Sequence, residues 1–274
     1  MRAPPEPDVA DPIAFAAAAR DRGVIGMVRE ALDRGRVMLA FQPVVSAATG
    51  AVAFHEGLVR VLDPTGRIIP AAQFVAVVEA QELGRLVDCA ALRCGLGALR
   101  RNPGLRLSVN MSARSIGYPR WTATLNRGLK ADPSAGERLI LEINEDSAMR
   151  VPELVGGLIS DLRGRGVSFA LDDFGAGRSE LRHLAGLLFD IVKIDGAFVR
   201  GCDTDADSRC MLEGIAALGR SLGMATVAER VETRAEADFA ARAGVDCLQG
   251  YLYGAPEVRP VWLRGGPGED RASA

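Results

Sequence analysis

Residues 138–173 read RLILEINEDSAMRVPELVGGLISDLRGRGVSFALDD: a short apolar run (138–143), an amphipathic stretch (152–163) and a second short apolar run (167–171). This is the pattern of strand, helix, strand, and it recurs along the chain. Strands are expected at 37–44, 51–61, 105–110, 138–143, 167–171, 190–194, 225–228 and 245–248, and helices at 74–80, 86–99, 121–129, 152–163, 179–187, 207–222 and 234–243. Strands alternating with helices imply a parallel sheet, and eight such units imply a closed α/β fold, the (β/α)8 TIM-like barrel. The first two runs break the rule, because only residues 46–50 separate them. A parallel crossover needs roughly a dozen residues, whereas a turn this short suits a hairpin. An irregular antiparallel strand is therefore expected near the start.

The length, 274 residues, suits one such barrel, and 48% hydrophobic with 25% charged residues is a globular composition. Lys and Arg number 33 against 35 Asp and Glu, a formal net charge of −2, so no global positive field exists to hold DNA. No run approaches the ~20 apolar residues of a membrane span. Five cysteines without a Cys-x-x-Cys pair argue against a disulfide framework and a zinc site, and fit reduced thiols in a cytoplasmic protein. Residues 1–23 read as a flexible lead-in with a short helix, 24–264 as the barrel and 265–274 as a disordered tail.

In barrel enzymes the chemistry collects at the C-terminal strand ends, and here those ends are acidic. The runs carry or lead into Glu56, Asn110, Glu142, Asp172 with Asp173, Lys193 with Asp195, Glu229 and Gln249. Two like charges ~4 Å apart repel by ~4 kcal/mol at an effective dielectric of 20. Five convergent carboxylates thus need compensation, which two divalent cations and Lys193 would supply. An all-oxygen shell selects Mg²⁺ or Mn²⁺. A single acid at a strand end is more often a helix cap or surface ion pair; it is the set that points to a site. Of the 33 basic residues only Lys130 and Lys193 are lysines, so a lysine within an apolar strand marks a place where a compact ammonium is wanted. His55, His183, Met111, Met149 and Met224 read as packing or surface residues.

Taken together, Phe41-Gln-Pro43, Glu56-Gly-Leu-Val-Arg60, Asn110-Met-Ser112, Glu142-Ile-Asn-Glu145, Asp172-Asp-Phe-Gly-Ala-Gly177, Lys193-Ile-Asp195, Ala228-Glu-Arg-Val-Glu-Thr233 and Gln249-Gly-Tyr251 resemble the EAL-domain phosphodiesterases of cyclic di-GMP. The resemblance runs from about Val24 to Glu257. It implies a barrel with one antiparallel strand near the start and hydrolysis of cyclic di-GMP to linear pGpG. Glu56, Asn110, Glu142 and Asp172 would hold one metal, and Asp172, Asp173 and Glu229 a second. Lys193, Glu229 and Glu56 would be catalytic, with Lys193 orienting or helping to deprotonate a water shared by both metals. Gln42, Arg60 and Gln249 would contact substrate. Glu145 would anchor the loop after Asp173, a loop that commonly forms a homodimer contact.

Four positions depart from the family's pattern. Gly57 stands for the signature's middle Ala, a missing methyl expected to loosen strand packing slightly; Asn144 replaces Thr, Arg178 replaces Tyr and Arg230 replaces Gly. Arg178 and Arg230 motivate an alternative, a degenerate receptor that binds cyclic di-GMP or a protein without hydrolysis. A third reading, a Schiff-base aldolase built on Lys193, conflicts with the neighbouring carboxylates, which raise a lysine pKa. The chain's length leaves no room for an attached sensor or cyclase domain, so regulation is expected from a protein partner, the leading residues or expression level.

Overall fold

Eight strands close into a barrel in the computed structural model, which describes residues 12–175, 186 and 188–263. Strand β1 (Val37–Ser46) pairs antiparallel with β2 (Val52–Leu62) across the turn foreseen in the sequence, and antiparallel with the last strand on its other side. From β2 the sheet runs parallel through β4 (Leu107–Asn110), β5 (Leu139–Asn144), β6 (Ser168–Phe174), β7 (Ile191–Ile194), β8 (Ala225–Ala228) and β9 (Cys247–Gln249). The β1–β2 pairing closes the circle. A ninth strand, β3 (Ile68–Pro70), hangs antiparallel on β2 outside the barrel. Three residues ending in proline carry no readable alternation, so this strand leaves no trace in the pattern.

Helices Glu82–Arg101, Pro119–Ala131, Pro152–Arg163, Ala206–Ser221 and Arg234–Arg242 pack their apolar faces on the sheet. The Phe74 region forms only one helical turn, Val75–Val78. The short helix expected before residue 24 is instead Pro12–Asp33, continuous through Arg20 and Asp21. Its second half buries Val28 and Ala31 against Val61, Phe74 and Val87, and that tertiary packing outweighs the local charge. The helix expected at 179–187, His183 and Arg178 lie outside the described residues, as does the chain beyond 263. All five cysteines are free thiols. Among the described residues no helix is long and apolar enough to cross a membrane.

Candidate active site

Inside the barrel, Val44, Phe54, Ile140, Ala170, Ile191 and Val227 form a separate apolar cluster with Cys247 against it. Ser108, fully buried, is the remaining strand's contribution. Strand residues two apart share a face, one layer ~6.6 Å further along. Two residues toward the mouth from this floor stand Gln42, Glu56, Asn110, Glu142, Asp172, Lys193, Glu229 and Gln249, one per strand. A hydrophobic plug thus carries a polar layer, and every strand-end residue singled out in the sequence except Asp173 and Asp195 belongs to it.

At the centre is Lys193, fully buried, its Nζ 2.8 Å from Glu229 Oε1, 2.9 Å from Asp172 Oδ1, 3.0 Å from Glu142 Oε2 and 3.1 Å from Glu56 Oε2. Asn110 donates to Glu56 Oε1 at 2.8 Å, and Gln249 donates to Glu56 Oε2 at 2.6 Å and to Gln42 Oε1 at 3.2 Å. One ammonium cannot satisfy so many acids. Burial, then the charges of Glu56 and Asp172, push Glu142 well above the carboxylate range; burial, Asp172 and Glu56 push Glu229 up to about 8. Asp173 is raised by burial and then by Asp172 and Asp195. For Glu56 burial is the largest influence and raises the pKa, but Lys193, Gln249 and Asn110 outweigh it and hold it low. Burial disfavours the Lys193 ammonium, yet Asp172, Glu142, Glu229 and Glu56 together raise its pKa well above 10.5. A Schiff-base lysine needs the opposite shift, so the aldolase reading fails.

Asp172 and Asp173 reach the mouth together because β6 slips register against β7 between Leu171 and Phe174, and Asp173 adopts φ 54°. In a regular strand consecutive side chains face opposite ways; a bulge re-aims one of them. Asn144 Nδ2 holds Asp173 Oδ2 at 2.9 Å while its Oδ1 caps helix Glu145–Arg150. Glu145 Oε2 accepts from Gly175 N at 3.0 Å, where the loop after Asp173 begins. From residue 176 that loop, and the dimer contact expected of it, lie outside the described residues. Glu229 opens a loop fixed at its far end by Glu236, whose carboxylate accepts from the backbone of Gly201, Glu232 and Thr233. A Cβ on Gly250 would overlap the Val231 backbone, so glycine is required there.

Two adjoining cavities open above the polar layer. One, of about 550 Å³, is lined by Gln42, Arg60, Asp172, Glu229, Arg230 and Gln249. Arg60 donates to the Val59 carbonyl at 3.0 Å. Arg230 stands at φ 54°, its side chain across Gly196 and its Nη2 4.0 Å from Asp195 Oδ2. The other, of about 460 Å³, runs from Glu56 and Asn110 to Asp88. Asp88 accepts from Ser112 N at 3.0 Å and Ser115 Oγ at 2.6 Å, and burial lifts its pKa to about 7 against those bonds. No strand pattern marks Asp88, which sits within a helix, and sequence reasoning missed it. Gly57 corrects another expectation: a Cβ there would lie 3.0 Å from Leu39 Cδ1 and 3.1 Å from the Ser108 carbonyl oxygen. The missing methyl leaves no slack, because Leu39 and Leu107 already fill it.

Oxygens of Asp172, Asp173 and Glu229 lie within 4.8 Å of one another, a grouping able to hold a metal ion. Glu56 and Glu142 connect to it through Lys193. An EAL domain model matches residues 25–256. The chain belongs to the EAL domain family. It is 32% identical over 236 residues to the bifunctional diguanylate cyclase/cyclic di-GMP phosphodiesterase MucR of Pseudomonas aeruginosa, covering 84% of this chain and 34% of MucR. With the cyclic di-GMP phosphodiesterase PdeL of Escherichia coli it shares 32% identity over 223 residues, 78% of this chain and 61% of PdeL. This EAL chain spans about a third of the length of most of the curated relatives it matches. The structure of the PaMucR phosphodiesterase in complex with c-di-GMP is similar at a TM-score of 0.77 and 32% identity, covering 86% of this chain and 97% of that one. The FimX EAL domain from P. aeruginosa bound to c-di-GMP gives 0.78 at 25% identity, with 85% and 96% covered.

Proposed function

We propose that this chain hydrolyses cyclic di-GMP to linear pGpG with the help of two divalent cations. The observation that carries the reading is the ring of Glu56, Glu142, Asp172 and Glu229 on a single buried ammonium, with Asp173 beside it, at the mouth of a closed barrel. Ligand binding alone gains nothing from that much like charge. The donors fit such ions: all are hard oxygens, and the buried Glu142 Oε1 has no hydrogen-bond partner. Glu56, Asn110, Glu142 and Asp172 would hold one Mg²⁺ or Mn²⁺, and Asp172, Asp173 and Glu229 the other. When bound, the ions supply a water of lowered pKa and neutralise charge on the phosphate.

The chain's own residues do the rest. Lys193, clamped by four carboxylates, orients the attacking water in line with the scissile bond. The water oxygen gives up one proton as it bonds to phosphorus and the P–O3′ bond breaks, and O3′ takes up one, so protons balance over the step. Arg60 offers the second phosphate a planar fork of donors from the wall of the larger cavity. Gln249 holds Glu56 in place, Gln42 accepts from Gln249, and both line the same wall. In the adjoining cavity the Asp88 carboxylate is an acceptor for the N1–H and N2–H edge of a guanine. We place the activity in the cytosol, where five free thiols stay reduced.

Purified protein with Mg²⁺ or Mn²⁺ is expected to convert cyclic di-GMP to pGpG, resolved by chromatography, and Glu56→Ala or Lys193→Ala to abolish turnover. Tight binding without product under either metal would refute the enzyme and favour the receptor reading that Arg230 motivates.

A further inference from the structure

A cavity of about 680 Å³, larger than either cavity of the candidate site and sharing no residue with them, lies on the outside of the barrel between helices Glu82–Arg101 and Pro119–Ala131. Its floor is apolar, built from Leu86, Ala90 and Leu96 among others. Its rims are arginine. Arg93 and Arg100 stand on one helix and Arg120 and Arg127 on the other. Each pair is seven residues apart, two turns or ~10.5 Å along one helix face. The result is two cationic rails flanking an apolar channel. Arg93 and Arg120, from different helices, both bear on the Cys89 thiol between them, so the rails face a common centre.

All four arginines are exposed. Among the described residues no guanidinium of the four makes an ion pair or a hydrogen bond, and Asp33 is the one acid lining the groove. In a chain of net charge −2, four unengaged guanidiniums around one channel are a local reversal of sign. An inorganic phosphate or free nucleotide would use the rails and leave the apolar floor wet. A flat bilayer would meet the rims but could not reach the floor of a concave channel. A helix with an apolar stripe between two rows of carboxylates uses both.

We propose that this groove docks an acidic amphipathic helix of a partner protein, its apolar stripe on the Leu86, Ala90 and Leu96 floor and its Asp and Glu side chains paired with Arg93, Arg100, Arg120 and Arg127. The partner's carboxylates recur at heptad spacing on both flanks, and the guanidinium forks receive them two oxygens at a time. The inference stands apart from hydrolysis, since no groove residue belongs to the site.

The test is selection of a displayed library of helical peptides of about 18 residues, with a fixed apolar stripe and randomised flanks, on the purified full chain. Enriched peptides are expected to carry Asp or Glu on both flanks. Their affinity, read by fluorescence anisotropy, should fall about tenfold or more in Arg93→Glu/Arg127→Glu, with an unchanged melting temperature, and return when the peptide's acids are changed to Arg. Enrichment without acidic flanks, or affinity indifferent to the arginine substitutions, overturns the proposal. So does arginine-dependent binding of inorganic phosphate, or of vesicles containing one-third anionic phospholipid, in the absence of any arginine-dependent peptide.

Discussion

Without divalent cations the candidate site should be a pH-dependent source of instability, and Glu229→Gln should remove much of it. Glu229 has a folded pKa of about 8 against 4.5 for an ordinary glutamate. A group whose folded pKa lies above its unfolded one contributes its full stability below the unfolded pKa and loses it as pH rises through the folded value. A gap of ~3.5 units corresponds to ~5 kcal/mol between pH 4.5 and 8. Glu142, Asp173 and Asp88, all raised, act in the same direction. The depressed Glu56 loses its contribution only as pH falls below 4.5, and the raised Lys193 is constant below 10.5. Metal-free wild type should therefore weaken steadily from pH 5 to pH 8. Glu229→Gln should match it near pH 5, exceed it by up to ~5 kcal/mol at pH 8, and be inactive. Urea unfolding followed by the fluorescence of Trp121 and Trp262, in chelator and at half-unit pH steps, measures both curves; Mg²⁺ should flatten the wild-type one. A wild-type curve that is flat or rising over this window, or a Glu229→Gln curve of equal slope, would refute the charge assignment.

Gly57→Ala should lower stability by ~1–2 kcal/mol in the same urea assay, since its Cβ meets the immovable Ser108 carbonyl as well as Leu39; Leu39→Val should recover part of the loss. Asp88→Asn should raise KM for cyclic di-GMP roughly tenfold to a hundredfold while sparing kcat, the effect of a lost charge-assisted hydrogen bond. Arg230→Gly removes a left-handed backbone cost of ~1–2 kcal/mol, so the melting temperature should rise. KM should rise as well if the guanidinium at the rim of the cavity meets the dinucleotide, and kinetics at varied ionic strength will show it.

Most of the polar layer was readable because a strand's period is two. Glu142 and Lys193 each stand two residues beyond an isoleucine, so a polar residue at that step in an apolar run must share the isoleucine's face. The antiparallel start was readable from the brevity of residues 46–50. Where a local irregularity decides, the pattern is silent. Two adjacent aspartates give no hint that a bulge and a positive φ will aim both at one mouth. Helix Glu145–Arg150, six residues with an Asn cap, is too short to show periodicity. Asp88 is set by the packing of a helix against Ser112 and Ser115, a relation between distant segments. Gly57 misled for the same reason: a missing methyl says nothing about whether a neighbour has moved into its place.

The apolar floor beneath the polar layer makes the barrel, among the described residues, a vessel closed at its base. Val44, Phe54, Ile140, Ala170, Ile191 and Val227 stop the barrel below the polar layer, so among the described residues Lys193 is approached from the mouth. Whatever settles deepest, against Lys193, must arrive before anything that rests on Arg60 and Asp88, and must leave after it. Order of entry is thereby written into the architecture, last in and first out.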